Sequence, residues 1–193
     1  MGWETHPVTP DRFDDFADVV NPNRRGRHCW CLSHRLPTRA IEELGEGSRE
    51  LAMRRLCERD HPPGVVTYRD GLPVGWCSIG PREENPKLVA SRVIRPVDDV
   101  AVWTIICIVV RGGHRRRGVT RHLLEGAVAW AASHGAPAVE AHPVEPEGRM
   151  DTTMAFVGTR TMFERVGFDV VGVTEATASK LPRLVMRRTL TPA

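Results

Sequence analysis

Residues Ala101 to Val110 form a nearly unbroken apolar run that passes directly into the basic glycine loop Arg111-Gly-Gly-His-Arg-Arg-Arg-Gly118. The run is rich in β-branched and aromatic side chains, as a strand buried on both faces requires. From Val119 the pattern changes. Apolar residues recur at Val119, Leu123, Leu124, Ala127, Val128 and Ala131, the spacing of one face of a helix. A buried strand, a tight loop and an amphipathic helix in immediate succession place the strand inside a sheet, with the helix laid on it. The junction also has a chemical meaning. First-turn amides of a helix lack intrahelical partners and sit at the positive end of the dipole, so they hold anions. Gly118 lets the backbone approach such an anion closely, and Arg115, Arg116, Arg117 and Arg121 add charge.

Two familiar phosphate loops are excluded by spacing. A nucleotide-hydrolase loop needs Lys followed by Ser or Thr after its last glycine, and a dinucleotide fingerprint needs three glycines at fixed offsets. The loop instead resembles the acetyl-CoA loop of the GNAT N-acetyltransferases, Arg/Gln-x-x-Gly-x-Gly/Ala. It reads Arg115-Arg-Arg-Gly-Val-Thr120, and departs from the pattern only in carrying Thr120 at the last position.

The rest of the chain is read with that junction as anchor. Glu4 to Val8 fits a first strand, followed by Thr9 as cap, Pro10 at the first helical position, and a short helix on Phe13, Phe16, Ala17 and Val20. Asn21 to Pro37 is irregular. A helical stretch capped by Thr38 is expected to reach about Glu58, interrupted near Gly45 and Gly47. Val65 to Arg69 and Val74 to Ile79 form a hairpin about Asp70-Gly71. Pro81 to Asp99 is a polar connection with a helical turn around Asn85 to Ala90. The central strand, a helix over Val119 to His134 closed by Gly135, and a strand over Ala138 to His142 follow. Met154 to Val166 is expected to be one helix, with Val170 to Val173 and Leu184 to Arg188 as closing strands.

That element order is similar to the GNAT fold over nearly the whole chain. Thr161-Met-Phe-Glu-Arg-Val-Gly-Phe168 resembles the late-helix signature of the same family. The resemblance implies an α/β fold: a central mixed, mostly antiparallel twisted sheet flanked by helices, with a splayed central strand. One GNAT-like domain over residues 1–193 is expected, since a chain of 193 residues can bury a single sizeable core.

Charge and cysteine usage narrow the class further. The net charge is only +3, which argues against a bulk nucleic-acid binder, and the basic loop lacks interleaved aromatics. No apolar run is long enough to span a membrane, and no membrane partner or leader segment is expected. The five cysteines are odd in number and sparse, so free thiols and a cytoplasmic location are expected. His28, Cys29, Cys31 and His34 cluster, but one residue between the cysteines is too few for structural zinc, and no metal is expected.

By the resemblance, acetyl-CoA is the co-substrate. Open main-chain groups of Ile108 and Val110, with Val109 between them, would hold the pantetheine arm. The amides of Arg115, Arg116, Arg117, Gly118, Val119 and Thr120 would hold the pyrophosphate. Arg111, Arg116 and Arg121 could reach the ribose phosphate. His28, Cys29, Trp30 and Cys31, through to His34, would border the acceptor, an amine on a small molecule in preference to a protein lysine or N-terminus. A homodimer is compatible with the sequence.

The catalytic groups are less legible. Phe163 stands where many family members carry a tyrosine acid, and Thr104 stands near the place of a glutamate base. Tyr68, the one tyrosine, reads as a strand residue. Asp98, Asp99, Glu140 and His142 are candidate bases, with Glu83 and Glu84 behind them. Cys107 could carry the acetyl group covalently, although a buried cysteine is more often a small hydrophobe. The expected activity is acetyl-CoA-dependent N-acetylation, with a catalytically weak CoA-binding sensor as the alternative.

Overall fold

The computed structural model describes residues 2–45, 47–146, 155–178 and 180–191. Seven strands form one sheet in the order β1-β2-β3-β4-β5-β7-β6. They are β1 (Trp3–Pro7), β2 (Gly64–Arg69), β3 (Leu72–Pro81), β4 (Trp103–Val110), β5 (Ala138–Ala141), β6 (Asp169–Ala178) and β7 (Leu181–Thr189). Every pairing is antiparallel except that of β4 with β5. The mixed sheet read from the sequence is thus present, with its parallel step at the central strand.

The helices are α1 (Phe13–Val20), α2 (Thr38–Glu43), α3 (Ser48–Cys57), α4 (Pro86–Val89), α5 (Val119–Ser133) and α6 (Arg160–Glu164). On one face of the sheet α5 packs over Ile79, Trp103, Ile105 and Val139, with Phe163 and Phe168 closing the same core. The other face carries α1, α3 and the segment from Trp30 to Leu32, packed on Val66, Tyr68 and Trp76.

Two glycines set how closely α5 lies on the sheet. A Cβ at Gly126 would sit 2.5 Å from the Thr5 side chain, and one at Gly75 would sit 2.9 Å from Val119. Both contacts are closer than packed atoms tolerate, so glycine at these positions seats the helix and with it the loop that precedes it. The hairpin turn is as expected: Asp70 and Gly71 both have positive φ, 53° and 78°, as a two-residue primed turn requires.

The second helical stretch is interrupted where the sequence places the break, because Gly47 is left-handed at φ 85° and starts α3 afresh. Four local expectations are corrected. Pro37, not Thr38, precedes α2 as its cap residue. The Thr9 side chain makes no capping bond, since its hydroxyl donates to Asp11 instead. The Met154 to Val166 helix is replaced by a 3-10 turn at Ala155–Val157 and the short α6, separated by Gly158 at φ 75°; Met154 itself lies outside the described residues. The closing strands are longer than their apolar cores, because half of each β6 residue pair faces outward and leaves no hydrophobic trace.

Candidate active site

The loop between β4 and α5 is built from left-handed residues. Gly113, Arg116 and Gly118 have φ of 80°, 60° and 83°. Alternating hands along a backbone turn successive amides toward one side and make an anion-binding concavity. Among the described residues, the amides of Arg115 to Thr120 make no hydrogen bond; the first helical bonds run from Arg121 and His122 back to the Gly118 carbonyl. A Cβ at Gly118 would meet nothing within 4 Å, so the space above this backbone is open. A cavity of about 280 Å³ lies there, walled by Val110, Arg116, Gly118 to Arg121, Met162 and Arg165.

The arginines of this loop divide by role. Arg121 donates to Glu125 at 2.8 Å, which also raises its pKa, and Arg111 donates to the Pro73 carbonyl at 3.1 Å. Arg115, Arg116 and Arg117 are exposed. Of these, Arg116 faces the cavity, together with Arg165 at the end of α6. Arg165 was not singled out from the sequence, because a lone exposed arginine on a short helix has no local signature.

The cavity continues into a gap in the sheet. β4 pairs with β5 only over Trp103, Thr104 and Ile105, opposite Val139, Glu140 and Ala141, and beyond Ile105 the two strands part. The Arg111 amide donates to Val74 on β3 at 2.9 Å. Strand alternation therefore turns the main-chain groups of Val109 toward β3, and those of Ile108 and Val110 into the gap. The Ile108 side chain packs into the core beside Phe163.

One extra residue shapes β4. Cys107 pairs with Ser78 but Ile105 pairs with Ile79, so Ile106 is a bulge. Ile105 and Ile108 consequently face α5, while Ile106 and Val109 pack on the opposite side. The Cys107 thiol meets that of Cys31, which also accepts the Trp76 indole N–H at 3.1 Å. The hydrogen bond to Cys107 and burial hold the Cys31 thiol well above its ordinary range. Trp30 and Cys31 both have positive φ, 51° and 57°, so the chain kinks sharply as it reaches this point.

His142 follows the end of β5 on this same side. It is only 2 % exposed, and its Nε2 has no hydrogen-bond partner. Burial, with Arg183, Arg82 and His34 nearby, pushes its pKa down to about 3. His34 is pushed to about 4 by burial and by Arg183, Lys87 and Arg35. Both imidazoles are therefore neutral near pH 7. Arg183 donates from Nε to the His142 carbonyl at 2.8 Å, and burial lowers its pKa to about 10.

The other sequence candidates are scattered. Glu140 is buried and ion-paired to Arg187, and Asp98 is held by the same guanidinium. Asp99 is exposed, away from any described partner. Glu84 accepts from His61 Nδ1 at 2.7 Å, and Glu83 is exposed. Thr104 is buried with an unpartnered hydroxyl. Trp30 is not a pocket wall: it lies in the core stacked on Phe13, with its indole N–H unpartnered. Cys29 is exposed, and His28 is half-buried with a pKa lowered by burial. Tyr68 donates to Asp15 at 2.7 Å, and burial raises its pKa. Among the described residues no three His, Cys, Asp or Glu side chains are grouped to hold a metal, and no helix is long and apolar enough to cross a membrane.

The family model "Acetyltransferase (GNAT) family" matches residues 33–168. Comparison with curated proteins finds no match. Among solved structures, the PaiA N-acetyltransferase of Thermoplasma acidophilum in complex with coenzyme A is similar at 11 % identity and TM-score 0.54, over 98 % of this chain and 100 % of that one. A GCN5-related N-acetyltransferase from Kribbella flavida is similar at 19 % identity and TM-score 0.55, over 97 % and 98 %. The aminoglycoside acetyltransferase AAC(6')-Ib in complex with coenzyme A is similar at 11 % identity and TM-score 0.57, over 97 % and 95 %.

Proposed function

Because the chain belongs to the acetyltransferase (GNAT) family, we propose that it transfers the acetyl group of acetyl-CoA to an amine on a small molecule, acting as one domain over residues 1–193. The observation that carries this reading is the continuity of two unsatisfied surfaces. The unpartnered amides of Arg115 to Thr120 open onto a cavity that Val110 also walls, and Val110 stands at the parting of β4 from β5. A long ligand with a phosphate end and an amide-bearing arm satisfies both. The pyrophosphate takes the amides, helped by Arg116 and Arg165, and the arm bonds Ile108 and Val110 as an added strand would.

The arm then delivers the thioester beside the bulge in β4. The acceptor approaches from the side of His34 and His142. Its neutral nitrogen attacks the thioester carbonyl carbon, the carbon–sulfur bond breaks, and CoA leaves as a thiolate. The proton shed by the nitrogen passes to the thiolate or to water, while the neutral imidazole of His142, its pKa pushed down to about 3, positions the nitrogen without keeping its proton. Direct loss of the thiolate is chemically reasonable, since a free thiol has a pKa of about 8.5. Phe163, fully buried against Phe168, supplies no proton.

Thermal unfolding tests the cofactor half of this reading. CoA and acetyl-CoA should raise the melting temperature while ATP and NAD do not, because only a ligand that favours the native state stabilises it. Equal shifts with ATP would reduce the loop to a general phosphate site. Release of free thiol from acetyl-CoA with a panel of amines tests the transfer half.

A further inference from the structure

Resting on the transfer reading above, we propose that the amine acceptor also carries an oxyanion, a carboxylate or a phosphate, which the guanidinium of Arg183 and the ammonium of Lys87 bind beside His34 and His142. Where this chain withdraws an arginine from water elsewhere, it supplies several oxygen acceptors: Arg187 contacts Asp98 and Glu140, Arg82 lies 3.9 Å from Glu140 and donates to the Ile94 carbonyl, and Arg35 donates to the Pro63 and Ile79 carbonyls. Arg183 has a single acceptor. It is half-buried, and among the described residues its guanidinium makes one hydrogen bond, from Nε to the His142 carbonyl, which leaves both Nη groups without a partner there. No carboxylate lies within 4 Å of it there, and burial alone accounts for its lowered pKa. Lys87 on α4 is likewise half-buried, with no ion pair or hydrogen bond among the described residues. Both cations act on His34, and Arg183 acts on His142 as well.

A charge held out of water without a counter-charge is costly, and an oxyanion bound beside it offsets that cost. The second observation is the Nε2 of His142, buried and without a hydrogen-bond partner, on the residue whose carbonyl Arg183 holds. Together they form a two-part receptor. The Nη groups of Arg183 lie beyond the Nε that is tied to the chain, which leaves their donors for a forked contact with an oxyanion. The imidazole beside it takes the amine end. A neutral amine or a polyamine gains nothing from such a site, and a polycation is repelled by it.

The experiment uses the full chain with acetyl-CoA. Turnover is measured over the proteinogenic amino acids, their carboxamides, phosphoethanolamine and spermidine, and calorimetric binding of the same compounds is measured in the presence of CoA. The expected result is a kcat/KM for at least one carboxylate- or phosphate-bearing amine that exceeds its neutral counterpart roughly ten- to a hundredfold, the range of a hydrogen bond to a charged group. Amino acids against phosphoethanolamine separate the two oxyanions. In Arg183→Gln the preference should collapse through KM, with acetyl-CoA affinity unchanged. Lys87→Gln, which breaks no described bond, should weaken it and serves if the arginine variant fails to fold. Equal binding of acids and carboxamides, or a preference for spermidine, overturns the inference while leaving acetyl transfer intact. Oxyanion-dependent binding of the amine without thiol release would uphold the inference and defeat the transfer reading.

Discussion

Arg187 and Glu140 form a buried ion pair, with Nη2 2.6 Å and Nε 2.9 Å from the same carboxylate oxygen. The second edge of that guanidinium grips Asp98 at 2.6 and 2.8 Å. Two carboxylates that could have served as bases are thereby occupied in tying β5 and β7 to the segment before β4. The arginine holds the Asp98 pKa down, and Asp98 in turn raises that of Arg187.

Arg187→Leu should therefore be a stability mutation. It leaves the Glu140 carboxylate, which is 1 % exposed, with only the more distant Arg82 at 3.9 Å, and removal of one partner of a buried pair costs about 3–5 kcal/mol. Urea unfolding measures the loss. Adding Glu140→Gln to the same chain should recover a good part of it, and no recovery would mean that Arg187 acts through packing alone.

His142→Gln separates chemistry from cofactor binding. Loss of a hydrogen bond that holds the attacking nitrogen should slow turnover by about tenfold, and the acetyl-CoA KM should stay within a few-fold of wild type. A variant that turns over normally would show that His142 does not position the acceptor.

The same histidine makes stability fall in mild acid. Its folded pKa is about 3, below the ordinary value of about 6.5. Between those values the unfolded chain binds the proton and the folded chain does not, so unfolding free energy rises with pH across the window. Stability is complete above about pH 6.5 and declines toward pH 4, by up to about 1.4 kcal/mol per pH unit for a group this buried. His34, lowered to about 4, adds in the same direction. Denaturation midpoints between pH 4 and 8 give the slope, and it should flatten in His142→Gln.

Gly118→Val tests the anion loop. The residue starts α5 at φ 83°, and its absent side chain would point into open space. Valine there meets no protein atom but brings the left-handed penalty of about 1–2 kcal/mol and a branched side chain over the amides. CoA affinity should fall more than about tenfold, a loss above 1.4 kcal/mol, while the fold is retained by circular dichroism. Unchanged affinity would show that the phosphates bind elsewhere.

Thiol labelling at pH 7 should follow burial. Cys29 is exposed and should react first. Cys57, pushed up to about 12 by burial, and the buried Cys77, raised further, should react last. Cys31 should be slow, since its proton is shared with Cys107. Cys107→Ser should keep full turnover if acetyl passes directly; loss of activity with trapped acetyl-enzyme in wild type would point to a covalent route.

What was legible in the sequence was local. The strand, the arginine–glycine loop and α5 are contiguous, so periodicity and glycine placement reveal them, and the Asp70-Gly71 turn is visible for the same reason. The acceptor side was not. Arg183 reaches the His142 carbonyl across 41 residues through the partners of β5 and β7, and nothing near Leu181-Pro-Arg183 marks it. Trp30 misled because a tryptophan beside cysteines and histidines looks like a pocket wall, whereas its burial against Phe13 is decided by α1, far away in the chain. The helix expected over Met154 to Val166 failed at Gly158, whose left-handed turn brings Phe163 against its α-carbon.

A pleated strand keeps a count of two, and β4 carries one residue too many. Ile106 shifts the parity of everything after it: before the bulge odd-numbered side chains face α5, and after it even-numbered ones do. The shift is what sends the peptide groups of Ile108 and Val110 toward the gap instead of toward β3. Deleting Ile106 would shorten the strand by a single step and still leave an apolar sequence fit for a sheet. It would also exchange the two edges of the strand beyond that point, giving the hydrogen-bonding edge that now opens on the cavity to the hairpin. The binding edge of this protein is in that sense an odd number, written once in the middle of its central strand.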